Sequence, residues 1–304
     1  MFQSHTGEIV ALGTAMCWTV SALSFQQATG RAGSLPVNIL RMFIALAIYL
    51  VVSRIINGYF LPLDAPRHVW LWMSLSGLVG FIFGDFFLFK SYEYVSARIS
   101  MLIMSLSPPI AAFFSWMMLS ETMSGQALLA MIVTLTGIIM VVVDKRDHDP
   151  AAGSNRRMKI KYSPKGIFYA FLGAIGQGGG LVISKYGMSG YPVFGATQIR
   201  IIAASIAFGI FILFAGKLIM FKKAFSSRKT LFFILMGSTF GPFIGVYLSL
   251  LSVKFTSVGI ASTIMAIVPV LIIPPAILLL KEKVSWMEVA GSIVAVLGVG
   301  IFFM

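Results

Sequence analysis

"YEYVSARISMLIMSLSPPIAAFFSWMMLSETMS" (residues 92–124) has a counterpart in "VKFTSVGIASTIMAIVPVLIIPPAILLLKEKVS" (residues 253–285). Each is an apolar run with a proline in its middle and a glutamate just past its end. Pro108 and Glu121 stand 161 positions before Pro269 and Glu282. The same offset matches Gly80 with Gly241, Gly84 with Gly245, Ser96 with Ser257, Met104 with Met265, Ser124 with Ser285 and Gly137 with Gly298. Earlier in the chain an offset of 159 matches Gly7 with Gly166 and Arg41 with Arg200. A loop absorbs the two-residue difference, so the chain carries an internal repeat.

The composition says what is repeated. Of 304 residues 58% are hydrophobic and only 11% charged, with a mean hydropathy of +0.94. A soluble domain needs far more polar surface than this. Apolar runs of about 20 residues, the length that spans a bilayer as helix, recur throughout. Lipid offers the backbone no hydrogen-bond partners, so each run is expected to be helical. The expected fold class is an all-α polytopic membrane protein with ten transmembrane helices, over roughly 8–29, 36–56, 69–91, 95–119, 125–143, 165–185, 194–215, 230–252, 256–280 and 285–303. One long polar connector, "DKRDHDPAAGSNRRMKIKYSPK" (144–165), divides the chain. It gives a first five-helix repeat at 1–143, a basic linker at 144–164 and a second repeat at 165–304. Five is odd, so the second copy enters the membrane from the opposite side. Two inverted five-helix repeats are the architecture of many secondary transporters.

The net charge of +13 does not indicate nucleic acid, because the bases lie in short segments between apolar runs. No metal-ligand spacing occurs among the three histidines, and no phosphate-binding glycine motif is present. No cofactor is expected. No nucleophile–base pair shares a membrane layer, so an enzyme is a poor reading. The single cysteine, Cys17, excludes an internal disulfide. The start of the chain has no basic segment ahead of its apolar run, so no cleavable signal peptide is expected.

The chain resembles the drug/metabolite transporter superfamily, specifically ten-helix proteins built from two EamA-type domains. The likeness is carried by the two stretches quoted above and by "LPVNILRMFIALAIYL" with its counterpart "GATQIRIIAASIAF". The resemblance implies a transporter of small organic molecules such as amino acids, more often an exporter, in a cell (inner) membrane. Its implied partners are a small-molecule substrate, the lipid bilayer, and a coupling proton or counter-substrate. The substrate and the oligomeric state stay open. So does orientation: the family keeps both termini in the cytoplasm, whereas Lys and Arg here crowd the opposite loops, about 17 against about four. A non-transporting receptor or lipid-binding scaffold, and a passive channel, are the alternative readings.

Repeat symmetry separates scaffold from site. Glu121 and Glu282 are symmetric and are expected to satisfy free amides near helix starts. Pro108 and Pro269 each remove a backbone hydrogen bond and are either tolerated kinks or hinges. Arg41 and Arg200 either snorkel to the interface or face a cavity. Asp85, in "GFIFGDFFLFKSY" (80–92), is the only acid well inside an expected span. At helical rise it lies ~10 Å from its span's end, a depth similar to that of Arg41, so the two are expected to pair. Its repeat equivalent is Val246, which leaves Arg200 without a matching carboxylate and free for an anionic substrate group. Gln198, Lys185 and Tyr186 are expected near Arg200. The glycines of "GQGGGL" (176–181), which include Gln177 as a candidate, either pack helices tightly or unwind at a site facing Trp18 and Thr19. Tyr247, Tyr186 and Trp18 are candidates to line a cavity.

Overall fold

A computed structural model describes residues 5–91, 94, 103–143, 163–215, 225, 227–275 and 285–304. Among these residues every regular element is helical. The chain runs through α1 (Thr6–Ala32), α2 (Ser34–Asn57) and α3 (Arg67–Gly77), then a π-helical segment π1 (Leu78–Gly84) that continues into α4 (Asp85–Ser91). Next come α5 (Ser107–Leu119), α6 (Gly125–Val143), α7 (Pro164–Gly187) and α8 (Val193–Ala215). The last part holds α9 (Arg228–Ser238), π2 (Thr239–Gly245), α10 (Val246–Phe255), α11 (Val258–Met265), α12 (Val268–Leu271) and α13 (Trp286–Ile301). Among the described residues seven helical stretches are long and apolar enough to cross a membrane, and three shorter apolar helices accompany them. Residues 144–162 of the linker, Glu282 and the start of the span expected at 95–119 lie outside the described residues, and Pro164, expected to end the linker, already belongs to α7.

Side-chain size is sorted by face. Large apolar groups point outward, with Ile55 77%, Leu213 83% and Phe214 89% exposed. An exposed apolar surface of this extent suits lipid rather than water. Small residues line the inside, among them Ala11, Ala15, Ala170, Ala174, Ala196 and Ala204, each fully buried. Lipid tails are as apolar as leucine, so helices associate here through close packing and not through burial from water. Interior hydroxyls such as Thr14, Thr19, Thr134 and Thr197 bond the carbonyl one turn back, which satisfies them within their own helix.

One close crossing joins α7 to the α3–π1–α4 helix. A Cβ on Gly176 would lie 2.5 Å from the Cα of Gly84, and one on Gly180 would lie 2.9 Å from the Cα of Gly80. The glycines of "GQGGGL" therefore pack helices, and α7 runs through them as unbroken helix. On the other side α1 packs along α9, π2 and α10, with the Ser21 side chain over Gly241 and the Trp18 indole over Gly245. Each half of the sequence thus sends its first helix onto the third helix of the other half. The helices α6 and α13 lie antiparallel, with Gln126 Nε2 donating to the Ile301 carbonyl at 3.0 Å. A Cβ on Gly137 would meet the Ala295 backbone at 2.3 Å, and one on Gly298 would meet the Thr134 backbone at 2.5 Å.

The breaks in the helices recur at the sequence offset. π1 and π2 stand 161 positions apart, residue for residue. Pro242 contributes to the second by withholding an amide from the preceding turn; the first has Phe81 at the matched position and so lacks that cause. The α5 helix starts after a turn at Ser105–Leu106, and α12 after a turn at Ala266–Ile267, again 161 apart. Pro108 and Pro269 sit in the first turns of these new helices, where the absent N–H costs no bond.

The Gly84–Gly176 crossing can be checked by substitution. Gly176→Ala is expected to destabilise the purified protein in detergent by about 1–3 kcal/mol, read as a lower melting temperature, because a methyl there meets backbone that cannot yield. Gly179→Ala, whose methyl would meet nothing nearer than the Phe114 ring at 3.7 Å, should be neutral or stabilising.

Candidate functional site

The π1 turn delivers Asp85 to the interior at the first position of α4. Asp85 is 5% exposed. Its Oδ2 forms an ion pair and hydrogen bond with Nη2 of Arg41 on α2, and its Oδ1 accepts from Nε2 of Gln177 on α7 at 2.8 Å. Gln177 reaches the carboxylate because Gly176 beside it lets α7 approach to backbone contact. The Arg41 guanidinium also lies over the Phe25 ring of α1, 5.6 Å from its centroid. Three helices therefore converge on one carboxylate. Burying a charge is tolerable only when it is paired and hydrogen-bonded, and this one is both.

Arg200, on α8, occupies the neighbouring crossing. It is 4% exposed, so its guanidinium has no route out to the interface and snorkelling does not describe it. Its charge lies 4.6 Å from the Phe81 ring centroid, and a Cβ on Gly80 would come within 2.5 Å of its Nη2. Its Nε is buried with no hydrogen-bond partner, and no ion pair to it occurs among the described residues. Tyr49, which the sequence reading missed, is fully buried close by. Its hydroxyl donates to the Phe243 carbonyl of π2 at 2.9 Å.

The residues expected around Arg200 are engaged elsewhere. Lys185 pairs with Oε1 of Glu121 and donates to the Thr256 carbonyl at 2.6 Å. Gln198 donates to the Phe60 carbonyl at 2.6 Å. Tyr186 stacks edge-on against Trp72 at 4.8 Å and against His68 at 5.6 Å. Trp18 lies against Gly245, and Tyr247 packs on the core beside Phe194. These side chains were expected together because they are near in sequence. A helix turns by 100° per residue, so Lys185, Tyr186 and Gln198 face different neighbours.

At the end of the bundle where α1 begins and α7 ends, a second polar cluster closes the structure. Glu121 Oε2 accepts from the Val258 amide at 2.9 Å and from the Ser115 hydroxyl. Val258 is the first residue of α11, so this carboxylate satisfies a free amide and meets a positive helix end. The helix it caps is not the next one in the chain, as the sequence suggested, but α11. Thr256 donates to Glu8 Oε1 at 2.8 Å, and Ser252 donates to the Gly7 carbonyl at 2.8 Å. In the loop after α7, Tyr191 donates to Asp64 Oδ1 at 3.0 Å. Burial first, and the Asp64 carboxylate second, raise the Tyr191 phenol above its ordinary value. A raised phenol favours the folded state at all pH below the ordinary tyrosine range. The contact fails only as pH climbs through the raised value.

An open groove outside this core is lined by Trp70, Leu78, Ile206 and Ile210, with Ser74 as a polar contributor. It carries no charge and suits an acyl chain better than a polar solute. No group of acids, histidines and cysteines able to hold a metal occurs among the described residues.

The sequence profile of the EamA-like transporter family matches residues 5–143 and again residues 164–304. A Saccharomyces cerevisiae protein described as an uncharacterized membrane protein is 29% identical over 108 residues, 36% of this chain and 25% of that protein. Another from the same yeast, described as a probable transport protein, is 31% identical over 71 residues, 23% of this chain and 20% of that protein. The matches thus span a quarter or less of the length of these relatives. A solved protein crystal structure superposes with a TM-score of 0.76 over 98% of this chain and 96% of its own, at 17% identity, and shares the fold.

Removing one partner of a buried ion pair leaves the other charge uncompensated. Arg41→Gln is expected to destabilise the protein by about 3–5 kcal/mol, read as a fall in melting temperature. The double variant Arg41→Gln with Asp85→Asn should recover most of that loss, since neither charge remains.

Proposed function

The chain belongs to the EamA-like transporter family, and from that premise we propose that it is a secondary transporter of a small organic metabolite. In this reading it works by alternating access between two inverted five-helix repeats, residues 1–143 and 165–304, and its direction is export. The seven long helical stretches and the three shorter apolar ones supply the ten spans. One observation carries the reading. Gly137 meets Ala295 while Gly298 meets Thr134, and each of these pairs is the other moved by the repeat offset. Reciprocal contacts of this kind are what a two-fold axis produces. The helices concerned are antiparallel, which supports an axis in the membrane plane.

The matched breaks give this motion its joints. The turns ahead of Pro108 and Pro269 interrupt the helices, and these prolines have no N–H to bond back across them, so bending there costs little. Opening the end held by Glu121 and Lys185 requires their separation, because that pair bridges the two family-matched segments. Asp85 is the coupling acid. Protonation cancels its charge, loosens its hold on Arg41 and Gln177, and so links proton binding to the packing of α2, α4 and α7. Trp18, Tyr247 and Gln177 border the same core and complete the solute path.

Reconstituted protein should show saturable uptake stimulated by solute on the far side of the membrane, the behaviour that separates a carrier from a channel. Uptake should respond to an imposed pH gradient. In Asp85→Asn that response should vanish while exchange continues. A gradient response unchanged in Asp85→Asn would remove the residue from the coupling role, and unsaturable flux would overturn the carrier reading.

A further inference from the structure

The two repeat-related arginines occupy alike but unequal surroundings. Each lies over a phenylalanine ring, Arg41 over Phe25 and Arg200 over Phe81. Arg41 has a carboxylate, whereas the position that matches Asp85 in the second half is Val246. Asp85 bonds Arg41 and Gln177 directly, and acts on Arg200 only from beyond ion-pair distance. Among the described residues the core around Asp85 therefore holds two guanidinium charges against one carboxylate, and Arg200 is the one without an ion pair.

A guanidinium has five N–H donors and, in a purely structural role, finds acceptors for them. Arg200 is 4% exposed and its Nε is unpartnered, as is that of Arg41; unlike Arg41, it also makes no ion pair among the described residues. An interior charge left in this way is costly, and such charges in membrane proteins mark solute pathways. The lack of a side chain at Gly80 leaves the space that Nη2 occupies, since a Cβ there would come within 2.5 Å. The backbone has thus been cleared for a guanidinium that forms no ion pair among the described residues.

We propose that Arg200 is the anion-recognition residue of the transport site, and that it binds the carboxylate of a small organic monoanion as its counter-ion. One negative charge balances the one surplus positive charge, and a carboxylate matches the planar fork of the guanidinium. The Phe81 ring backs the guanidinium and keeps its fork fixed. This deepens the transport reading and rests on it.

Thermal-shift and calorimetric titration of the purified full chain test the proposal, using lactate and benzoate, their neutral amides lactamide and benzamide, and inorganic phosphate. The two carboxylates should stabilise the wild-type protein, and the amides should not. Phosphate, whose charge exceeds one at neutral pH, should bind more weakly. Arg200→Gln should weaken carboxylate binding at least about thirtyfold, and Arg200→Lys should retain part of it. Without ligand, Arg200→Gln should melt at or above the wild-type temperature, because it removes an unpaired charge; that also shows the variant is folded. Val246→Asp tests the same idea from the other side, and should raise the melting temperature while blocking carboxylate binding. Equal stabilisation by acid and amide, binding undiminished in Arg200→Gln, or no stabilisation by either carboxylate overturns the proposal. Exchange assays keep the two claims apart. Flux of lactamide without flux or binding of lactate sinks the anion site and leaves the carrier, whereas lactate binding without any flux does the reverse.

Discussion

The close approach of two helix backbones at Gly84 and Gly176 governs the rest of the structure. Helices normally pack with their axes 8–10 Å apart, held off by side chains. Here there are none, and α7 lies directly on the π1–α4 turn. That contact brings Gln177 within 2.8 Å of Asp85 and sets Gly180 against Gly80 where the Arg200 guanidinium rests. In lipid, where apolar burial drives little association, such contact is a main source of helix cohesion. A single methyl at the crossing would displace both charged groups together.

Charge is distributed by pairing. Asp85 and Arg41 neutralise each other within the core, and Gln177 occupies the second carboxylate oxygen. At one end of the bundle Glu121 holds Lys185, the Ser115 hydroxyl and the free amide of Val258. Arg200 departs from this pattern, with an aromatic ring beneath it and no ion pair among the described residues. The contrast between the two arginines is what the proposed recognition role of Arg200 rests on.

The helices are interrupted at matched points in the two halves. Both π segments adjoin the glycine crossings, and both turns precede prolines, which have no N–H to bond back across them. Lipid-exposed breaks would leave polar backbone unsatisfied. Gly80, Gly84, Gly241 and Gly245 of the π segments are all buried, which places these breaks inside the bundle. Regular lipid-facing helix and irregular interior backbone thus coexist along the same spans.

The sequence determined the membrane class, the helical spans and the repeat, because hydropathy and periodicity are local and lipid leaves the backbone one solution. It also determined that Asp85 and Arg41 lie at similar depth, since helical rise converts residue counts into distance. Which faces meet was a matter for the tertiary structure. Gln177 bonds Asp85 across 92 positions, Lys185 reaches the Thr256 carbonyl across 71, and Glu121 caps Val258 across 137. No spacing rule predicts such partners, because each depends on the rotation of one helix about its axis relative to another. That rotation is fixed by glycine contacts such as Gly137 with Ala295, which exist only once both helices are packed. The sequence could therefore say that Arg200 lacks a repeat-matched acid, but only the packing could say that no other acid among the described residues forms an ion pair with it.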